Sequence, residues 1–248
     1  MNAKSQKKRL DLLLVERGLA ESRQKAQAMI LAGEVSVNGA KEQKAGAQIN
    51  EAARIEVASR LQKYASRGGL KLEGALADFS VNPTGAICLD LGSSTGGFTD
   101  CLLQTGAARV YAVDVNTGQL AWKLQQDPRI IRIRRNAREL QTADIPEPID
   151  LVVADVSFIS VTKVLGPAIA VAEPGAVFLI LIKPQFELRR EDVGPGGIVK
   201  DESLHKKAIA SVEQHAKSLG LQILGILPSR LTGAEGNQEF FLNARKIA

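Results

Sequence analysis

The stretch AICLDLGSSTGGF, residues 86–98, contains the transition that decides the fold of this chain. Its first six residues are apolar apart from Asp90 and predict a buried strand, and Gly96 begins a helix that is predicted to continue to Gln104. Glycine lets a backbone turn sharply and approach a ligand closely. We therefore expect a small ligand to lie on this turn, between the strand and the helix.

Strands and helices alternate over the rest of this region, and the strands are apolar through their centres. Further strands are predicted at 109–114, 130–134, 149–155, 176–182, 222–228 and 239–244. Helices are predicted from residue 68 and at 120–126, 161–171 and 204–219. This alternation is typical of α/β proteins, and it predicts a doubly wound parallel sheet of seven strands.

The N-terminal quarter has a different pattern, in which two short helices precede short strands. A leucine-rich helix is predicted to end at Gly18, and Ser22 is positioned to cap a second helix that ends at Gly33. Alternating strands follow at 35–39 and 54–57. These elements predict a compact α+β unit, distinct from the α/β sheet.

The excess positive charge lies in the same N-terminal quarter. Residues 1–67 hold 13 Lys and Arg against 7 Asp and Glu, a net charge of +6, whereas the remaining residues have a net charge of −1. Concentrated basic charge attracts polyanions, most often nucleic acid. The alternative at this point is an ordinary solvated basic surface.

Composition excludes several classes of protein. Cys88 and Cys101 are too few for a disulfide framework or a Cys-rich zinc site, and their apolar surroundings are typical of buried thiols. The longest apolar run, residues 176–182, is far shorter than the roughly 20 residues of a membrane span. We therefore expect a cytoplasmic protein that uses neither a metal nor a membrane.

Ionisable side chains end several of the predicted strands. They are Asp90, Asp114, Asp155 and Lys183. In an open α/β sheet ligands bind outside the carboxyl ends of the strands, so these side chains predict one site. Asp114 is placed to accept the ribose hydroxyls of an adenosine-containing cofactor, although it could instead cap a helix. Ser94 stands where a dinucleotide fingerprint needs its second glycine, which disfavours NAD.

The turn after the first strand resembles motif I of Rossmann-like methyltransferases, Asp-x-Gly-x-x-x-Gly-Gly. That resemblance implies S-adenosylmethionine as the cofactor. The residues expected to bind it are Asp90, Gly92, Ser94, Gly96, Gly97, Phe98, Asp114, Asn136 and Ala137.

Four residues in the order Lys71, Asp155, Lys183, Glu239 resemble the Lys-Asp-Lys-Glu tetrad of ribose 2′-O-methyltransferases. The resemblance implies that Lys183 is the general base and that Asp155 and Lys71 position the reacting groups. Glu239 then completes the charge network. Taken singly, any of these residues could equally form a surface ion pair.

Longer motifs resemble the TlyA family, also called haemolysin A, which joins an S4 RNA-binding domain to an FtsJ-like methyltransferase. These motifs are DVSFISV at 155–161, LIKPQFE at 181–187, GGIVKD at 196–201 and GNQEFF at 236–241. A departure occurs at Leu231-Thr, where Ser-Pro is expected. The resemblance implies an S4-like domain at 8–58, a linker at 59–67 and a methyltransferase domain at 68–248.

By the same resemblance, the expected activity is 2′-O-methylation of cytidine in ribosomal RNA, with ribosomal RNA or ribosomal subunits as partners. Its expected RNA-binding residues are Arg9, Arg23, Lys25 and Arg67. Two other interpretations are a cytolysin, which needs membrane-active segments, and a non-catalytic RNA-binding assembly factor. An intact cofactor turn and tetrad favour the enzyme.

Overall fold

The computed structural model describes residues 7–20, 22–57, 63–233 and 235–247. The chain divides into two compact units, Met1–Lys63 and Tyr64–Ala248. Part of the linker predicted at 59–67 lies outside the described residues. The end of that segment belongs to the second unit, because Tyr64 is buried in its core.

In the described part of the first unit there are two helices and five short strands. They are β1 (Lys7–Arg9), α1 (Leu10–Glu16), α2 (Arg23–Leu31), β2 (Val35–Val37), β3 (Ala40–Lys41), β4 (Gln48–Asn50) and β5 (Ile55–Val57). Strand β1 pairs with β4, and β2 lies between β3 and β5. As predicted, the Ser22 side chain caps α2 by accepting from the Lys25 amide, and Leu10, Leu14 and Ile30 are fully buried.

The second unit contains six α-helices and seven strands among the described residues. The helices are α3 (Gly68–Asp78), α4 (Gly97–Gln104), α5 (Trp122–Gln125), α6 (Thr162–Val171), α7 (Pro184–Glu187) and α8 (Glu202–Ser218). The strands are β6 (Ile87–Leu91), β7 (Arg109–Asp114), β8 (Ile130–Arg134), β9 (Ile149–Ala154), β10 (Ala172–Ile182), β11 (Leu221–Pro228) and β12 (Phe240–Lys246). They form one sheet in the order β11-β12-β10-β9-β6-β7-β8.

The predicted seven-stranded α/β sheet is confirmed, but the prediction that it is wholly parallel is wrong for one strand. Strand β12 runs antiparallel to both of its neighbours, β10 and β11. A parallel neighbour requires a crossover connection, usually a helix, whereas residues 229–239 between β11 and β12 contain no helix among those described. The chain therefore turns back directly, and the start of β12 lies at the edge where the parallel strands end.

Apolar side chains cover both faces of this sheet. Along β10, Phe178 and Ile180 belong to the core cluster beneath α6 and α8, while Leu179 and Leu181 belong to the cluster beneath α3 and α4. Burial on both faces explains why β10 is apolar without interruption from Ala176 to Ile182. In the described part of the chain, no helix combines the length and hydrophobicity needed to cross a bilayer.

Candidate active site

The glycine-rich turn after β6 is held by backbone contacts with the neighbouring strands. Gly92 has φ +83°, and its amide donates to the Val113 carbonyl at 2.9 Å. A Cβ on Gly92 would lie 2.6 Å from the Asp155 carbonyl oxygen, so only glycine fits between β6 and the residue after β9. Ser94 donates its amide to Asp114 Oδ2 at 2.9 Å, which fixes the end of the turn against β7.

A cavity of about 390 Å³ opens beside this turn, within the size range of small-molecule sites. Six predicted residues line it: Gly92, Ser94, Asp114, Asn136, Ala137 and Asp155. Asp114 already accepts backbone hydrogen bonds from Ser94 and Asn116, and its carboxylate keeps further acceptor positions for a ligand.

Gly96, Gly97 and Phe98 were predicted to bind the cofactor, but they do not line this cavity. A Cβ on Gly96 would lie 2.2 Å from the Leu124 side chain, and one on Gly97 would lie 2.2 Å from Ser66 Oγ. The Phe98 ring is buried and stacks on Phe241 at 6.2 Å. Packing within the second unit therefore accounts for both glycines and for the aromatic ring.

Asp90 is fully buried at the end of β6. Thr99 Oγ1 donates to Asp90 Oδ2 at 2.6 Å, and burial raises the pKa of Asp90 to about 7. Asp90 Oδ1 and the buried Ser93 Oγ have no hydrogen-bond partner among the described residues. Buried polar atoms are normally satisfied, so these two fit a polar ligand at the glycine-rich turn. A cofactor with an amine and hydroxyls meets that requirement.

Lys183 lies at the opposite side of the site, directly after β10. Its Nζ is 2.5 Å from Asp155 Oδ1 and donates to Ser157 Oγ at 2.8 Å. The side chain is only 10% exposed. Pro184 is the first residue of α7, a position that suits the fixed φ of proline. Asp155 lines the cavity, and Lys183, which does not, is held behind it through the contact with Asp155.

The other two tetrad residues form a second ion pair. Lys71 Nζ on α3 lies 2.5 Å from Glu239 Oε2, and both side chains are buried. In the antiparallel register of β10 and β12, Ile182 faces Phe240, so the next facing positions are Lys183 and Glu239. The reversed strand β12 thus brings the second pair to the edge that carries the first.

Among the residues of the site that sequence reasoning missed are Ser157 and Phe158. Ser157 accepts the Lys183 hydrogen bond, and Phe158 lines the cavity with its side chain 88% exposed. Phe158 also has φ +65°, a backbone conformation that is uncommon for a bulky residue. Both lie in the DVSFISV motif, but the motif alone does not show which side chains face the cavity.

The predicted RNA-binding arginines of the first unit have a structural contact. The Asp11 carboxylate is fully buried and accepts hydrogen bonds from Arg9 and Arg23, each at 2.9 Å, and from Gln27. These donors hold the pKa of Asp11 well below its usual range. Lys25 is exposed and has no ion pair among the described residues.

Arg67, the fourth predicted RNA-binding residue, lies in the second unit immediately before α3. Its guanidinium is exposed and makes a long contact of 3.5 Å with the Thr232 carbonyl.

Comparison with known proteins identifies both units. Residues 64–246 match the FtsJ-like methyltransferase family, and residues 8–55 match the S4 domain. The 16S/23S rRNA (cytidine-2′-O)-methyltransferase TlyA of Mycobacterium tuberculosis is 44% identical to this chain, over 94% of the chain and 88% of that protein. The chain belongs to the TlyA family.

Two further proteins are similar over nearly the whole chain. The Bacillus subtilis protein named "Putative rRNA methyltransferase YqxC" is 45% identical over 96% of this chain and 86% of its own length. The solved structure "Putative hemolysin from Streptococcus thermophilus" is 39% identical with a TM-score of 0.75, and the match covers 98% of this chain and 90% of that one. The second unit is a methyltransferase with the fold of S-adenosylmethionine-dependent enzymes.

Proposed function

We propose that this chain transfers a methyl group from S-adenosylmethionine to the ribose 2′-OH of a cytidine in ribosomal RNA. The observation that carries the proposal is the Lys183–Asp155 pair, in which an amine contacts a carboxylate that lines the cavity beside the glycine-rich turn. The names of the TlyA relatives supply the substrate class. Ribosomal RNA as substrate implies an enzyme of the cytoplasm.

S-adenosylmethionine would be held by the turn from Asp90 to Ser94, by Asp114, and by Asn136 and Ala137. When bound, it supplies a methyl group on a positively charged sulfur, which departs as a neutral thioether. This leaving group needs no further activation, so the task of the protein is alignment and proton removal.

Lys183 acts as the general base in this proposal. The Lys183 amine would take the proton of the 2′-OH as the oxygen bonds to the methyl carbon, and the thioether sulfur would leave with the electrons of the broken carbon–sulfur bond. Asp155, 2.5 Å away, then stabilises the ammonium that results, and Ser157 fixes the direction of the amine. The Lys71–Glu239 pair holds α3 and the start of β12 in place beside these groups.

The S4 unit provides affinity for folded RNA through its basic residues. RNA presents a 2′-OH by its shape and by local unstacking, so a separate binding unit adds selection that the small methyl-transfer site lacks. Contacts of phosphates with Arg9, Arg23 and Lys25 of this unit, and with Arg67 of the second unit, would make RNA binding dependent on salt.

A methylation assay tests the proposal. Purified protein is incubated with labelled S-adenosylmethionine and with ribosomal subunits from cells that lack the gene, and the RNA is then digested to nucleosides. We expect label in 2′-O-methylcytidine. Label in a base-methylated nucleoside or in protein, or no transfer to either subunit, would contradict it.

The two other interpretations predict different results in simple assays. A non-catalytic assembly factor binds RNA but gives no heat with S-adenosylmethionine in calorimetry. A cytolysin releases dye from vesicles of purified phospholipid. We expect heat on cofactor binding and no dye release.

A further inference from the structure

The loop from Asp155 to Val161 is fastened to the segment from Lys183 to Glu187 at three places. At its start, Asp155 and Ser157 contact Lys183 Nζ. At its middle, the Phe158 ring lies 5.3 Å from the Phe186 ring. At its end, the loop is bonded to Glu187. We call residues 155–161 the motif loop.

Glu187, on α7, makes two hydrogen bonds with the end of the motif loop. Ser160 Oγ donates to Glu187 Oε2 at 2.5 Å, and the Val161 amide donates to Glu187 Oε1 at 2.8 Å. Ser160 Oγ also lies 2.6 Å from Thr162 Oγ1 at the first turn of α6. One carboxylate therefore fixes both the loop and the start of the helix that follows it.

This carboxylate has no cationic partner among the described residues. Burial raises the pKa of Glu187, because the charged form is partly removed from water. The contacts of Glu187 among the described residues are therefore its hydrogen bonds to the motif loop.

The motif loop needs an anchor of this kind because its middle is exposed and strained. Phe158 has a positive φ and an 88% exposed side chain, so little of the loop's conformation comes from burial of this residue. Asp155 and Ser157, which hold Lys183, lie at most three residues from Phe158. Loosening the end of the loop would therefore displace the contacts of Lys183.

We propose that Glu187 is a positioning residue, which holds the motif loop through Ser160 and Val161 so that Asp155 and Ser157 keep Lys183 aligned for proton removal. This inference rests on the proposed function. It assigns the hydrogen-bond acceptors of Glu187, not its charge, as the required feature.

The experiment compares Glu187→Ala, Glu187→Gln and the matched control Glu191→Ala. Glu191 is an exposed acid four residues after Glu187, and its carboxylate pairs with Arg189 at 2.8 Å. We expect Glu187→Ala to lower kcat about 10- to 100-fold, because small displacements of reacting groups cost that much, with the KM for RNA unchanged. Glutamine can accept from the Val161 amide and donate to Ser160 Oγ, so Glu187→Gln should recover kcat to within about threefold of wild type.

Three outcomes overturn the assignment: a folded Glu187→Ala variant with wild-type kcat, a Glu187→Gln variant as slow as Glu187→Ala, or an equal loss in Glu191→Ala. If Glu187→Ala does not fold, Ser160→Ala removes one of the two donors and should lower kcat in the same direction, while wild-type kcat there overturns the proposal. Absence of methylation by the wild-type protein would instead count against the proposed function. Hydrogen exchange of the 155–162 peptide remains a separate readout, expected to accelerate in Glu187→Ala and not in Glu187→Gln.

Discussion

The two lysine–carboxylate pairs of the tetrad in the second unit have the same distance from Nζ to the carboxylate oxygen, but their surroundings differ. Lys183–Asp155 and Lys71–Glu239 both measure 2.5 Å. Asp155 is 23% exposed and lines the cavity, whereas Glu239 is 3% exposed. The two pairs therefore differ in their proximity to the cavity and not in the distance between their charges. From this difference we infer that Lys183–Asp155 can react and that Lys71–Glu239 supports the structure around it.

A buried ion pair contributes to structure in a specific way. Its mutual attraction roughly repays the cost of removing both charges from water, so the pair adds little net stability, while loss of one partner leaves an uncompensated charge. Lys71–Glu239 meets these conditions. Lys183–Asp155 lies where a substrate oxygen can compete for the amine.

Replacing Lys183 should produce the largest change in activity. Lys183→Ala is expected to lower kcat about 10²- to 10⁴-fold, the usual contribution of a general base, while binding of RNA and of S-adenosylmethionine is retained. Single-turnover methylation and calorimetry measure these quantities. Turnover near the wild-type rate would remove Lys183 from this role.

Replacing Lys71 should act mainly on stability, which sharpens the contrast with Lys183. Lys71→Met leaves Glu239 buried without a partner and is expected to lower the free energy of unfolding by about 3–5 kcal/mol. The double variant Lys71→Met/Glu239→Gln, which carries neither charge, should recover much of it. Urea unfolding measures both, and equal stability of the single variant and wild type would contradict the interpretation.

Asp90 is a third carboxylate of this edge, and it has no cation beside it among the described residues. Since burial raises its pKa to about 7 in the folded chain, the folded state binds more protons than the unfolded state between pH 4 and 7. As the pH rises through this range, the free energy of unfolding of the wild-type protein should therefore fall by up to about 1.4 kcal/mol for each pH unit, relative to Asp90→Asn. Urea unfolding of both proteins at several pH values measures the difference, and parallel pH profiles would contradict it.

Substitution of Phe158 tests whether RNA contacts the cavity beside the Lys183–Asp155 pair. An exposed aromatic ring at a nucleic-acid site typically stacks on a base, which contributes about 1–3 kcal/mol. Phe158→Ala is accordingly expected to lower kcat/KM for RNA by about 5- to 150-fold. Phe158→Trp, which keeps a stacking surface, is the matched control.

Replacing Lys25 should give the smallest effect. Comparing it with Arg23 distinguishes an exposed cation from one that pairs with a buried carboxylate. Lys25→Ala is expected to weaken RNA binding severalfold and to reduce the slope of log K against log salt by about one, with stability unchanged. Arg23→Ala should in addition destabilise the first unit, because Arg23 bonds to the buried Asp11. Equal salt slopes for wild type and Lys25→Ala would contradict a phosphate contact.

Sequence patterns predicted the elements of this fold well because apolar periodicity depends directly on burial. They did not predict the direction of β12, because the apolar pattern of a strand is the same whether the strand is parallel or antiparallel to its neighbours. They indicated that Asp90, Asp155 and Lys183 follow strands, and the shared edge of the sheet brings such residues together.

Contacts that depend on loop conformation or on distant partners were beyond the sequence. The orientation of Phe158 and the bonds of Glu187 arise from a strained turn that no periodicity encodes. Arg9 and Arg23 resembled surface cations. Their shared partner is Asp11, and the contact between Arg23 and Asp11 forms only when α1 and α2 pack together. The packing needs of Gly96 and Gly97 likewise come from residues far along the chain.

The reversal of β12 has a consequence for biosynthesis. Lys71 and Glu239 are separated by 168 positions along the polypeptide, so their pair closes only after β12 has been translated and inserted between β10 and β11. A nascent chain that has already exposed its S4 unit can thus engage RNA while its transfer chemistry is still incomplete. Translation products truncated before β12 are therefore expected to be inert.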